Sequence, residues 1–109
     1  MSQEEINELS DRELNKLSLM SAESCSHTGK DKLSLRMVMG WAWQPQIDTS
    51  QAMHLASLLD MNITFGDRVV LVSEPAGAQS RTVEYSETGR VAAMRRAITL
   101  LSADYAQQL

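Results

Sequence analysis

The chain has 109 residues, of which 43% are hydrophobic and 22% charged, as expected for a single globular domain. Its net charge is −4 with no basic stripe, which argues against binding to duplex nucleic acid, because that affinity depends on neutralised phosphates. A single cysteine, an acidic start unlike a signal peptide, and no apolar run long enough to span a bilayer together predict a cytoplasmic protein without a membrane segment.

The first long helix is predicted over residues 11–23. Ser10 and Glu13 form a capping-box pattern, in which a serine and a glutamate three residues later satisfy free amides at a helix start. Small and apolar residues follow at helical spacing: Leu14, Leu17 and Ser21.

The segments beside this helix are less regular. Ser2 and Glu5 form a further capping box, so we interpret residues 1–8 either as one short helical turn or as a disordered segment. Turn-forming residues around Gly29 predict a loop over residues 24–31.

Residues 33–39 are compatible with two structures. Apolar residues at alternate positions are typical of a strand, whereas Leu33, Met37 and Gly40 also share one helical face, and Gly40 is a natural helix terminator. The pattern alone leaves both alternatives open.

The next helix is predicted over residues 49–60. Asp48 is suited to its N-cap, because its side chain can accept from free amides and its charge favours the positive end of the helix dipole. Four residues form a narrow apolar stripe along it: Ala52, Leu55, Ala56 and Leu59.

Three strands follow, over residues 62–65, 68–72 and 81–85, with a two-residue hairpin turn at Gly66-Asp67. We therefore expect a three-stranded antiparallel sheet within residues 62–86. Such a sheet is stable only when an apolar surface covers one of its faces.

The last helix, predicted over residues 88–106, can supply that surface. Its apolar stripe consists of Val91, Met94, Ala97, Ile98, Leu101 and Tyr105, and the side across from it carries Arg96, Thr99 and Ala103. The sequence thus predicts an α+β fold, a single domain over residues 1–109 in which helices cover a small three-stranded antiparallel sheet.

The stretch Val38-Met39-Gly40-Trp41-Ala42-Trp43-Gln44-Pro45, with Asp48 after it, resembles small phage and prophage proteins of the ABA-sandwich type, including NinX-like proteins. Residues 9–17 and 87–97 are similar to their opening and closing helices. The resemblance implies a phage or prophage origin and a helix over residues 33–39, and the polar insertion at 24–31 departs from it. It implies no activity that can be transferred residue by residue.

Two groups of residues are candidates for a ligand- or partner-binding site. Trp41 and Trp43 offer flat surfaces for stacking beside Asp48, or else they are core residues and Asp48 is only an N-cap. We expect Trp41 to be buried beside Gly40 and Trp43 to be partly exposed.

The second group is the only local concentration of positive charge, formed by Arg90, Arg95 and Arg96. Arg90 near a helix N-terminus could receive a phosphate. Because Arg95 and Arg96 diverge from Arg90 around the helix, a solvated helix face is the interpretation we favour.

Cys25 and His27 place a thiol and an imidazole close together, but a zinc site needs three or four protein ligands and a nucleophile needs an orienting third group. We expect both residues to be dispensable, with no catalytic residue, metal or cofactor. A hydrolase that uses this pair is the third and least favoured functional class.

These observations favour a small non-enzymatic phage or prophage accessory protein. It would bind a host or phage protein in the cytoplasm of a bacterial host cell, and a homo-oligomer is compatible with the sequence. The alternative is a small-molecule binding protein that sequesters a nucleotide signal and so counters antiphage defence, using Trp41, Trp43 and Arg90.

Overall fold

The computed structural model describes residues 1–25 and 43–109 and has the predicted α+β architecture, with a radius of gyration of 13.1 Å. The described elements, in chain order, are α1 (Gln3–Asn7), α2 (Asp11–Cys25), α3 (Thr49–Leu58), β1 (Asn62–Gly66), β2 (Val69–Ser73), a 3-10 turn (Pro75–Gly77), β3 (Ser80–Glu84) and α4 (Arg90–Ala106). The alternatives for residues 33–39 lie outside the described residues.

The predicted caps are present at three helix starts. The amides of Glu5 and Glu13 donate to the hydroxyls of Ser2 and Ser10, each at 3.2 Å. The Gln51 amide donates to Asp48 Oδ1 at 3.0 Å. Because side chains only three positions away satisfy these amides, local sequence was sufficient to place these helix starts.

Several element bounds and one turn differ from the predictions: α3 ends at Leu58 instead of residue 60, α4 begins at Arg90 instead of residue 88, and β3 spans Ser80–Glu84 instead of 81–85. Helix α2 continues to Cys25, so the predicted loop at 24–31 began too early, and residues 26–31 lie outside the described part. In the β1–β2 hairpin Gly66 pairs with Val69, which places the two-residue turn at Asp67-Arg68 instead of Gly66-Asp67. Glycine fits at position 66 because of space, since a Cβ there would lie only 2.8 Å from Val69 Cγ2.

The three strands form an antiparallel sheet in the order β1-β2-β3, and α4 packs on one of its faces. The residues that face α4 include Val70 and Val72 of β2, both fully buried. Ile98 and Leu101 of α4 belong to the same buried cluster. The predicted packing of the last helix on the sheet is therefore confirmed.

Helix α4 is more deeply buried than its sequence indicates. It contacts β2 and β3 as well as α1, α2 and α3. Thr99 and Ala103, predicted on the side away from the apolar stripe, are fully buried, whereas Val91 is 50% exposed although it was placed in the stripe. The burial of this second face has a long-range cause, because α1 and α2 pack against the side of α4 that carries small and polar residues.

Within the described ranges, no helix is long and apolar enough to cross a membrane.

Candidate functional site

Trp43 is a core residue, which corrects the prediction that it is partly exposed. Its side chain is 6% exposed, and the indole Nε1 donates to Ser18 Oγ at 2.9 Å. Ser18 is itself fully buried on α2. The hydroxyl thus satisfies the one polar atom of the indole, and Trp43 has no open face for stacking a ligand. Trp41 lies outside the described residues.

Asp48 and Arg95 each make structural hydrogen bonds near the start of α3, to different partners. The Asp48 carboxylate caps the helix. Arg95 donates from Nε to the carbonyl of Gln46 and from Nη1 to Thr49 Oγ1, both at 2.9 Å. Arg96 donates from Nη1 to Gln46 Oε1 at 3.0 Å. The two arginines hold the segment that leads into α3, so the prediction of a merely solvated face is wrong for both.

Arg90 lies apart from these residues. Its guanidinium stacks over the ring of Phe65 on β1, at 4.2 Å from the ring centroid, and both side chains are exposed. The structure therefore does not unite Trp43, Asp48, Arg90 and Arg95 in one site.

The thiol of Cys25 donates to the hydroxyl of Tyr105 at 3.6 Å. His27 lies outside the described residues. Among residues 1–25 and 43–109, no group of three or more His, Cys, Asp or Glu side chains is arranged to hold a metal ion.

Sequence reasoning missed a buried charged pair between Arg81 and Asp104. Arg81 Nε and Nη2 donate to the two carboxylate oxygens of Asp104 at 2.6 and 2.7 Å. The remaining groups bind α1, because Arg81 donates to Asn7 Oδ1 and to the carbonyl of Gln3. Strand alternation offered a signal, since Arg81 and the half-buried Val83 share the face turned toward α4.

A second buried carboxyl lies near this pair. Glu74 is 8% exposed, and its Oε1 has no hydrogen-bond partner. Desolvation, and after it the negative charge of Asp104, raises the pKa of Glu74 above its ordinary value. Burial without a partner disfavours the ionised form of this carboxyl, so ionisation of Glu74 destabilises the folded state.

Strand β3 lies at the edge of the sheet, and the hydrogen-bond pattern shows which of its backbone groups face outward. In an antiparallel pair, hydrogen-bonded and non-hydrogen-bonded residue pairs alternate. Beyond the two ends of the β2–β3 ladder, Tyr85 donates to the carbonyl of Arg68 and Glu74 donates to that of Gln79, both at 2.9 Å. By alternation, the hydrogen-bonded pairs between them are Val83 with Val70 and Arg81 with Val72.

Ser80, Thr82 and Glu84 therefore direct their amides and carbonyls away from β2, toward the free edge. An independent contact agrees with this assignment: the side-chain amide of Gln3 donates to the Ser80 carbonyl at 3.2 Å. No hydrogen bond from any described residue reaches the outward backbone groups of Thr82 and Glu84. Among residues 1–25 and 43–109, Gln3 thus covers the edge at Ser80, and nothing pairs with the outward backbone of Thr82 and Glu84.

This open edge borders a groove of about 510 Å³ between β3, α1 and α4. The groove is lined by Asn7, Arg81, Thr82, Val83, Glu84, Arg96 and Leu100. Of the described lining residues, Val83 and Leu100 are apolar, and Arg81 and Arg96 are cationic. The groove combines unpaired strand backbone, which can form main-chain hydrogen bonds with an extended peptide, with apolar and cationic side chains that can contact the side chains of that peptide.

Comparison with known proteins gave no match: no family model, no curated protein and no solved structure is significantly similar to this chain.

Proposed function

We propose that this chain is a small non-enzymatic accessory protein of phage or prophage origin that binds a host or phage protein in the bacterial cytoplasm. The binding mode is β-augmentation, in which an extended segment of the partner adds as a fourth strand beside β3. The resemblance of the stretch around Trp41 to phage proteins of the ABA-sandwich type motivates the origin.

The open edge at Thr82 and Glu84 is the observation that supports this function best. Unpaired backbone groups on an edge strand are a template for another chain, and proteins usually blunt such edges with charges, proline or a covering element. Here Gln3 of α1 covers Ser80 only. Two alternate residues remain to exchange main-chain hydrogen bonds with a partner, and the groove can accept its side chains.

The geometry favours this proposal over nucleotide sequestration. A stacking site needs an exposed indole beside an arginine, and Trp43, the one tryptophan among the described residues, is buried and bound to Ser18. Arg90 already stacks on Phe65.

Co-purification from infected bacterial cells, followed by mass spectrometry, tests the proposal when two variants of one position are compared. Thr82→Pro removes the outward amide and leaves the β2–β3 hydrogen bonds, because Thr82 does not donate to β2. Thr82→Val keeps the amide and alters only the side chain. We expect partners retained by the wild type and by Thr82→Val to be lost from Thr82→Pro. A partner that binds all three chains equally would contradict binding at this edge.

A further inference from the structure

The two arginines of the β3 groove differ in whether a carboxylate neutralises them. Arg81 is neutralised by Asp104 in a buried pair. Glu84 lies on the opposite face of the strand from Arg81 and Val83, and it is exposed. Arg96 is partly buried, and its bond is to the neutral carboxamide of Gln46. Among the residues that the structure describes, no carboxylate forms an ion pair with Arg96.

Arg96 also has a defined position relative to the open edge. Arg96 and Leu100 are one helical turn apart on α4, so they share a face. Leu100 packs in a buried cluster with Val83 of β3. Neighbouring residues in adjacent strands point to the same face of a sheet. A residue added opposite Val83 would therefore direct its side chain toward α4, over Leu100 and toward the Arg96 guanidinium.

We propose that the groove selects an extended segment of a partner protein that carries an acidic residue at the position opposite Val83, and that Arg96 binds this carboxylate. The inference rests on the proposed function, because it specifies which segment the β3 edge accepts. The methylene groups of a glutamate would cover Val83 and Leu100, and its carboxylate would pair with the guanidinium. An arginine can bind a carboxylate through two parallel hydrogen bonds, which favours an acidic residue over a neutral one.

A second copy of this chain supplies no carboxylate opposite Val83, because antiparallel pairing of two β3 strands centred on Thr82, Val83 or Glu84 places Arg81, Val83 or Tyr85 at that position. Antiparallel pairing of two β3 strands centred on Thr82 would place Glu84 of the second copy opposite Ser80, where the Gln3 amide already occupies the outward carbonyl. Pairing centred on Glu84 would set two like charges side by side, which is destabilising. An acidic segment of another protein is therefore the occupant that the charges and the partial cover favour.

A displayed library of random peptides of about ten residues, the upper length of an ordinary strand, tests this inference. The library is selected on the wild type, Arg96→Gln, Arg96→Lys, Thr82→Pro and, as a charge-matched control, Arg12→Gln, since Arg12 is exposed on α2 away from the groove lining. Circular dichroism melts confirm that each variant is folded.

On the wild type, Arg96→Lys and Arg12→Gln, we expect enriched sequences to share an acidic residue within a strand-like alternating pattern. On Arg96→Gln the strand-like pattern should persist while the acidic preference falls to the library background. A selected acidic peptide should then bind about tenfold more weakly or worse, as when one charged hydrogen bond is lost. Thr82→Pro should enrich nothing.

Two other outcomes would overturn different claims. Enrichment on the wild type that is lost in Thr82→Pro but shows no acidic preference would contradict the role of Arg96 and leave the edge site intact. An absence of enrichment on the wild type, or equal enrichment on Thr82→Pro, would contradict the edge site itself.

Discussion

Arg81 and Asp104 join strand β3 to helix α4 through two hydrogen bonds of 2.6 and 2.7 Å, and their side chains are only 6% and 3% exposed. The same guanidinium binds Asn7 and the Gln3 carbonyl, so it also fixes α1. A buried ion pair of this kind adds little net stability over an apolar pair, but removal of one partner leaves an unpaired charge. Its principal effect is to fix the positions of three elements around the groove.

Replacement of Arg81 by alanine should be severely destabilising, because Asp104 would remain buried without its cation. We expect a loss of about 3–5 kcal/mol in the free energy of unfolding, measured by urea denaturation. Arg12→Ala, at an exposed position, is the control and should change it by less than about 0.5 kcal/mol. The double variant Arg81→Met/Asp104→Leu should recover most of the loss, and an Arg81→Ala cost under about 1 kcal/mol would contradict this account.

Ile98 and Val91 of α4 provide a matched pair, because the sequence placed both in one apolar stripe. Ile98 is fully buried, whereas Val91 is 50% exposed. We expect Ile98→Ala to cost about 2–5 kcal/mol and Val91→Ala less than about 0.5 kcal/mol in urea unfolding. Equal costs would contradict the orientation of α4, in which Ile98 faces the sheet and Val91 faces solvent.

Trp43 should behave as a core residue and not as a ligand platform. Trp43→Ala should cost about 3–5 kcal/mol of unfolding free energy. Ser18→Ala, which leaves the indole nitrogen unpaired, should cost about 1–3 kcal/mol. In a Trp41→Phe background, cyclic and linear nucleotides at millimolar concentration should leave the Trp43 fluorescence unchanged. A saturable change would restore nucleotide binding as a function.

Glu74 should make stability depend on pH in a defined direction. Burial raises the pKa of its carboxyl above the ordinary value of 4.5, so the folded state favours the protonated form. Its contribution is thus fully present below that value and decreases as the pH rises through the folded-state pKa.

Glu74→Gln cannot ionise and should therefore be more stable than the wild type at neutral pH. The difference should vanish below about pH 4, where the wild-type carboxyl is protonated in both states. Urea unfolding of both chains across this pH range measures it. A stability difference that is independent of pH would show that ionisation of Glu74 is irrelevant.

The elements that the sequence predicts well are those determined by near neighbours. The caps at Ser2, Ser10 and Asp48 involve side chains within three residues of the amides they satisfy, and β2 is a run of β-branched and apolar residues that follows a turn signal. Period and capping chemistry are local properties, so the α+β class and most element bounds could be predicted from them.

The missed features depend on contacts between distant segments. Trp43 is buried because Ser18, 25 residues earlier, lies against its indole nitrogen. Thr99 is buried because other helices cover the second face of α4. The Arg81–Asp104 pair joins residues 23 positions apart, and the open edge at Thr82 depends on which strand is last in the sheet. No periodicity in one segment contains this information.

Amide hydrogen exchange at β3 tests the central claim most directly, because it reports separately on the inward and outward backbone groups. In the free protein, the amides of Arg81 and Val83 should be protected by their bonds to β2, and those of Thr82 and Glu84 should exchange rapidly. Addition of a partner, or of a peptide selected on the wild type, should protect Thr82 and Glu84 specifically. Rapid exchange at Thr82 and Glu84 in the saturated complex would contradict binding by strand addition at this edge.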